Sequence, residues 1–267
     1  MQRVLTVLIV LALVLGAVAY AAFHEVYWEG FQVSHLAIRS RYVHAKLALT
    51  LVAPPQGGAG RPLLVFMHGR GGNQNSELNH RLFTALEKLG KQAPDIAFPD
   101  GGEHSYWHDR TGGNWGSYVL REVIPDAIRR LDANPRKLAI GGISMGGFGA
   151  YDLAMKDPGR FCAIGGHSAA IWPAAADTAP GAFDDAADFD RNDVIGYAAT
   201  HRDPFGKAWL WLDGGNRDPF HPYDEQFAHE LGIRLHVWSG GHNSRYWSAH
   251  YGDYLRFYTQ AFPHCGR

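Results

Sequence analysis

The chain has 267 residues, 46% of them hydrophobic and 19% charged, with a formal net charge of −1. That is enough apolar material for one large α/β domain, and the charge balance excludes the basic footprint of a nucleic-acid binder. Thirty-two glycines and 13% aromatic residues point to many tight loops, and no repeat interrupts the reading.

In chain order, the first segment, MQRVLTVLIVLALVLGAVAYAAF, is different in kind from the rest. Arg3 is followed by about 20 residues without a charge, near the span of a bilayer and longer than the usual signal-peptide core. Ala17-Val18-Ala19 and Ala19-Tyr20-Ala21 nevertheless offer an A-x-A cleavage pattern. Residues 1–23 are therefore expected to be a signal peptide or membrane anchor, any membrane association running through residues 4–23. Residues 24–267 are expected to form one catalytic domain outside the cytoplasm, secreted or anchored. The cysteines, Cys162 and Cys265, permit a disulfide in an exported chain. Cys162 in the apolar run RFCAIGG reads more simply as a buried thiol.

FQVSHLAIRS and HAKLALTLVAPP alternate in part and end in Pro-Pro, as an opening antiparallel pair does. PLLVFMHG is an apolar run stopped by glycine, the pattern of a buried parallel strand. NSELNHRLFTALEKLGK has helical spacing through Leu78, Leu82, Ala85 and Leu86, with a stop at Gly90. DIAFPDGG reads as strand then turn, and WGSYVLREVIPDAIRRLDANP as a helix that Pro125 must kink or restart. KLAIGG, FCAIGGHS, KAWLWLDGG and RLHVWSGG are further strands; SMGGFGAYDLAMKDP and SRYWSAHYGDYLRFYTQAF are helices. The Ala/Asp-rich stretch AAADTAPGAFDDAADFD reads as an irregular insertion. Strand and helix alternate from about residue 62 onward, the signature of a mostly parallel sheet covered on both faces. Ligand sites in such sheets lie at the carboxyl ends of the strands.

Gly142-Ile143-Ser144-Met145-Gly146 matches G-x-S-x-G between a strand and a helix, the context of a nucleophile elbow. Glycines two before and two after the serine let strand and helix pack closely around a strained backbone. The Met145 N–H at the helix start can stabilise an oxyanion. A serine hydroxyl needs a base. Of the fifteen histidines, His242 in SGGHNSRYW follows the last strand at a glycine turn. His250 falls inside the last helix, and His201, His221 and His236 lack that loop placement. The acid must follow KAWLWLDGGNRDPF: Asp213 leaves the strand directly, while Asp218 in the loop has the reach to orient an imidazole and is preferred. A second oxyanion donor is expected from HGRGGNQN, at Arg70 or Gly71. Trp107, His108, His167 and Trp172, on two further loops at the same face, are candidates to line the substrate pocket. His104, His108 and Asp109 cluster without an H-E-x-x-H or a cysteine pair, so no metal is expected. No phosphate-binding or dinucleotide fingerprint occurs, so no cofactor is expected either.

Six segments in order resemble the esterase D-like family of the α/β-hydrolase superfamily, related to feruloyl esterases and secreted mycolyltransferases. They are PLLVFMHGRGG, AFPDGGEHSYWHD, NWGSYVLREVIPDAI, IGGISMGGFGAYDLAMKDPGRF, WLDGGNRDPF and GGHNSRYWSAHYGDYLRFY. The resemblance implies an α/β-hydrolase fold with a Ser-acid-His triad, which falls on Ser144, Asp218 and His242. It also implies oxyanion donors at the backbones of Met145 and Arg70. The expected activity is hydrolysis of carboxylic esters through an acyl-enzyme, on a small-molecule, lipid or carbohydrate ester. Two other readings stand beside it: a cell-envelope acyltransferase that passes the acyl group to a sugar, and a non-catalytic surface-binding protein on a hydrolase scaffold.

Overall fold

A computed structural model of the chain describes residues 26–28 and 30–266. The expected signal or anchor at residues 1–23 lies outside the described residues. Among those described, no helix is long and apolar enough to cross a membrane.

A nine-stranded sheet runs in the order β1-β2-β3-β5-β4-β8-β9-β10-β11. Strands β1 (Val26–Trp28), β2 (Phe31–Arg39) and β3 (Lys46–Ala53) form its antiparallel flank. β5 (Asp95–Pro99) pairs antiparallel with β3 and parallel with β4 (Leu63–Met67). β8 (Leu138–Ile143), β9 (Ala163–His167), β10 (Trp209–Gly215) and β11 (Leu235–Trp238) continue the parallel part. β4, β5, β8 and β9 are buried at every position, which is why they read as unbroken apolar runs rather than alternating ones. A small hairpin, β6 (Asp109–Arg110) with β7 (Gly113–Asn114), stands apart.

Helices cover both faces. α1 (His80–Leu89) begins at Asn79, whose side chain accepts from the Arg81 and Leu82 N–H groups, and ends at Gly90 with φ 54°. Leu78 therefore lies just outside the helix its spacing suggested. The helix through Pro125 has three parts: α2 (Trp115–Tyr118), a π turn (Val119–Val123) and α3 (Ile124–Leu131). Pro125 stands at the start of α3, where the absent proline N–H costs least, and the wider π turn takes up the mismatch. α4 (Met145–Lys156) follows β8, and α5 (Ala186–Arg191), α6 (Val194–Thr200) and α7 (His221–Glu230) precede β11. The last helix, α8 (Ser244–Ala261), packs against α1 on one face of the sheet. The Ala/Asp-rich stretch is thus not wholly irregular. Asp185 caps α5 by accepting from Asp188 N, and Asp193 caps α6 by accepting from Gly196 N.

Cys162 and Cys265 form a disulfide across a sequence separation of 103, so Cys162 is not the free buried thiol that its apolar surroundings suggested. The bridge ties the last residues after α8 to the start of β9. A loop of that length confers about 2–4 kcal/mol, mainly by restricting the unfolded chain. Cys265→Ser is expected to lower the melting temperature by roughly 5–10 °C. Calorimetry against the reduced wild type, which should unfold at the same temperature as the variant, checks this.

Candidate active site

β8 ends directly in Ser144, which sits at φ 55°, ψ −114° and is 6% exposed. A non-glycine residue holds such angles only when its surroundings enforce them. Here the Ser144 N–H donates to the His167 carbonyl at 2.9 Å, and the Ser144 carbonyl accepts from Phe148 and Ala170 N–H, both at 3.0 Å. The flanking glycines are required by proximity to β4: a Cβ at Gly142 or Gly146 would lie 2.4 Å or 2.1 Å from the Met67 carbonyl oxygen. The turn is therefore pressed against β4, and Ser144 stands at the carboxyl end of β8, a central strand.

The loop after β11 brings His242 to that hydroxyl. Its Nε2 lies 2.8 Å from Ser144 Oγ, and its Nδ1 lies 2.9 Å and 3.1 Å from the two Asp218 carboxylate oxygens. A carboxylate only accepts, so Nδ1 carries the proton and Nε2 is left as the acceptor for the serine O–H. Asp218 is 4% exposed and also accepts from the Phe220 N–H at 3.0 Å. Burial alone would raise its pKa, but the His242 hydrogen bond and charge, with the Phe220 N–H, outweigh it and hold the carboxyl below its ordinary value. The structure thus brings together Ser144, His242 and Asp218, three residues more than twenty positions apart in sequence.

Asp213 stands elsewhere. It is fully buried at the end of β10, and its Oδ2 accepts from His167 Nδ1 at 2.6 Å and Trp211 Nε1 at 2.8 Å. Its Oδ1 accepts from the hydroxyls of Tyr246 at 3.2 Å and Tyr254 at 3.1 Å. It does not reach His242.

The N–H of Met145 opens α4, where a first-turn amide has no intrahelical acceptor. In the loop after β4, the Gly71 N–H donates to the Glu103 carbonyl at 2.7 Å and the Gly72 N–H to the Gly69 carbonyl at 3.0 Å. That commits Gly71, so of the two residues expected to supply an oxyanion donor Arg70 remains, on the loop that lines the cleft beside Ser144. His68 fixes the loop: its Nε2 accepts from the Gly101 N–H at 3.0 Å, so its Nδ1 donates to the Gly69 carbonyl at 2.8 Å.

A cleft of about 980 Å³ opens over Ser144 and His242. Its lining includes Tyr106, Ala179, Phe220 and Trp247, and the charged residues Glu77, Arg70, Arg81 and Arg245. None of the four residues expected to line the pocket does so. Trp107 is fully buried beneath the loop, with its Nε1 donating to the His68 carbonyl at 3.2 Å. His108 is 1% exposed and donates through Nε2 to Asp188 at 3.0 Å, tying the aromatic loop to α5. His167 is fully buried on Asp213, and Trp172 stands behind Tyr106 and Phe220, its ring centroid 5.4 Å from each. Their loops do end at the cleft face, but their side chains pack inward. Among the described residues, no group of three or more His, Cys, Asp or Glu side chains could hold a metal ion.

Sheet order, elbow and hydrogen-bonded chain together define an α/β-hydrolase. The sequence profile of the family described as Putative esterase matches residues 40–257, and the chain belongs to that family. A ferulic acid esterase superposes with a TM-score of 0.75 at 21% identity, covering 87% of this chain and 99% of that one. An S-formylglutathione hydrolase from Agrobacterium tumefaciens does so at 0.75 and 17%, covering 90% and 99%. At these identities the likeness is one of fold. In sequence, Esterase Rv1288 of Mycobacterium tuberculosis strain H37Rv is 32% identical over 116 residues. The match takes in 40% of this chain and 25% of that protein, so the chain covers about a quarter of that relative's length.

Proposed function

We propose that this hydrolase is an exported serine esterase that works through an acyl-enzyme on Ser144. The observation that carries the reading is the continuous chain Ser144 Oγ–His242–Asp218, with contacts of 2.8 Å and 2.9 Å. Ser144 Oγ attacks the ester carbonyl while its proton passes to His242 Nε2, and the Asp218 carboxylate stabilises the imidazolium. The tetrahedral oxygen, now negative, accepts from the N–H groups of Met145 and Arg70. His242 then returns the proton to the leaving alcohol. Water, deprotonated by the same imidazole, attacks the acyl-serine, releasing the acid and restoring the Ser144 hydroxyl. Export is supported by Arg3 with the apolar run behind it, and by a disulfide of a kind that persists in oxidising compartments.

Burst kinetics of residues 24–267 with p-nitrophenyl acetate test this reading. One equivalent of nitrophenol should appear in a burst, and Ser144→Ala should abolish both burst and turnover while keeping the wild-type melting temperature. Full activity in that variant would refute it. Adding a sugar to the assay separates hydrolysis, which yields free acid alone, from transfer of the acyl group to a hydroxyl.

A further inference from the structure

The cleft wall beyond His242 is made by the first turns of two helices that pack together, α1 and α8. The described residues lining the cleft carry three guanidiniums, Arg70, Arg81 and Arg245, against one carboxylate, Glu77. In a chain of formal net charge −1, composition alone does not produce that excess. Nor does Glu77 cancel it: the side chain is 7% exposed and accepts the hydroxyl hydrogen of Tyr251. Its burial favours the neutral carboxyl, against the opposing pull of the Tyr251 bond and of His68. Arg81 and Arg245 are exposed, and both stand in first turns, where the helix dipole adds positive potential. Ser244 and Ser248 line the same space, the Ser248 hydroxyl donating to the Arg245 carbonyl at 3.4 Å.

The position of these cations relative to the reaction gives them a meaning. His242 Nε2 must protonate the leaving oxygen, so the alcohol half of the ester lies on the His242 side of Ser144. α8 starts at Ser244, two residues beyond His242, so Arg245 flanks that side, and Arg81 stands on the neighbouring helix. Phe220 and Trp247 flank the imidazole itself, with ring centroids 5.0 Å and 5.1 Å from that of His242.

Resting on the esterase reading, we infer that the physiological substrate is an ester whose alcohol part carries an anionic oxygen group, a carboxylate or a phosphate, bound by Arg81 and Arg245. Exposed guanidiniums hold such a group with bidentate hydrogen bonds, and the attraction is screened by salt.

Three acetyl esters test it: 4-acetoxybenzoate, 4-acetoxyphenyl phosphate and the neutral methyl 4-acetoxybenzoate. The measured quantity is the ratio of kcat/KM for each anion to that for the neutral ester. In the Arg81→Gln/Arg245→Gln double variant both ratios should fall about tenfold, and the Lys/Lys double variant should recover most of the loss. In the wild type, raising the salt from 0.05 M to 0.5 M should lower them several-fold. The carboxylate and phosphate arms tell which anion is preferred. Unchanged ratios in the Gln variant would overturn the inference. So would an anion preference found only on the acyl side, with mono-(4-nitrophenyl) glutarate against 4-nitrophenyl valerate. The same comparison by calorimetric binding to Ser144→Ala decides the matter without turnover. If the wild type cleaves none of these esters the serine-esterase reading fails, while equal binding of anionic and neutral esters defeats this inference alone.

Discussion

Asp218→Asn is expected to lower kcat about 10⁴-fold while shifting the melting temperature by only a few degrees. The magnitude follows from what the carboxylate does for His242. Its two oxygens accept from Nδ1 at 2.9 Å and 3.1 Å, which places the ring proton there and leaves Nε2 free to receive the serine proton. An amide at this position can donate to Nδ1, which moves the ring proton to Nε2 and blocks its role as base. It also removes the negative charge that stabilises the imidazolium. The fold suffers little, because the asparagine oxygen can still accept from the Phe220 N–H, now at 3.0 Å to Oδ1. Steady-state kinetics and calorimetry on one preparation check both halves. A kcat within tenfold of wild type would show that Asp218 does not orient the base.

Which parts of this architecture can be read without coordinates follows from the range of the interactions involved. The elbow is legible because its requirements are local: Gly142 and Gly146 sit at fixed offsets from Ser144, and both answer to one carbonyl on β4. The central strands are legible because burial on both faces leaves continuous apolar runs. Asp218 could be preferred over Asp213 on reach, since only a loop residue clears the strand's end to meet His242. The disulfide was not legible, because sequence holds no measure of the distance between positions 103 residues apart. The helices α5 and α6 are not legible although Asp185 and Asp193 stand at their starts, because six and seven residues are too few to show a helical hydrophobic period. The cleft lining was misassigned for a tertiary reason. Loop aromatics such as Trp107 turn inward beneath the oxyanion loop, while the walls come from the first turns of α1 and α8, which only helix packing brings over the serine. The order His242, Ser244, Arg245, Trp247 carried a usable signal: residues one turn past a catalytic loop stay close to it.

The other aspartate should give the opposite phenotype. Asp213→Ala is expected to cost about 3–5 kcal/mol of stability, a fall of roughly 10 °C in melting temperature. The carboxylate accepts four hydrogen bonds, three of them fully buried: from His167, Tyr246 and Tyr254, and from the partly buried Trp211. Burial, with the charge of Asp213, pushes the pKa of both tyrosines far up, so each remains a donor across the working range. Alanine leaves all four donors facing apolar surroundings in a space water does not readily reach. Asp213→Asn should be milder: its oxygen can take the His167 and Trp211 bonds while its amide donates to the tyrosine oxygens, whose own hydrogens must then turn elsewhere. The network also reaches the nucleophile through the backbone. Ser168 N–H donates to the Asp213 carbonyl at 2.7 Å, and the preceding residue's carbonyl receives the Ser144 N–H at 2.9 Å. A loosened β9–β10 pair should therefore relax the strained serine, so the Ala variant that still folds at 15 °C should lose roughly tenfold in kcat as well. Urea unfolding of the two variants beside wild type measures the stability difference directly. An Ala variant within 1 kcal/mol of wild type would mean that the four donors find other partners, and that the elbow owes its geometry to the β4 contact alone.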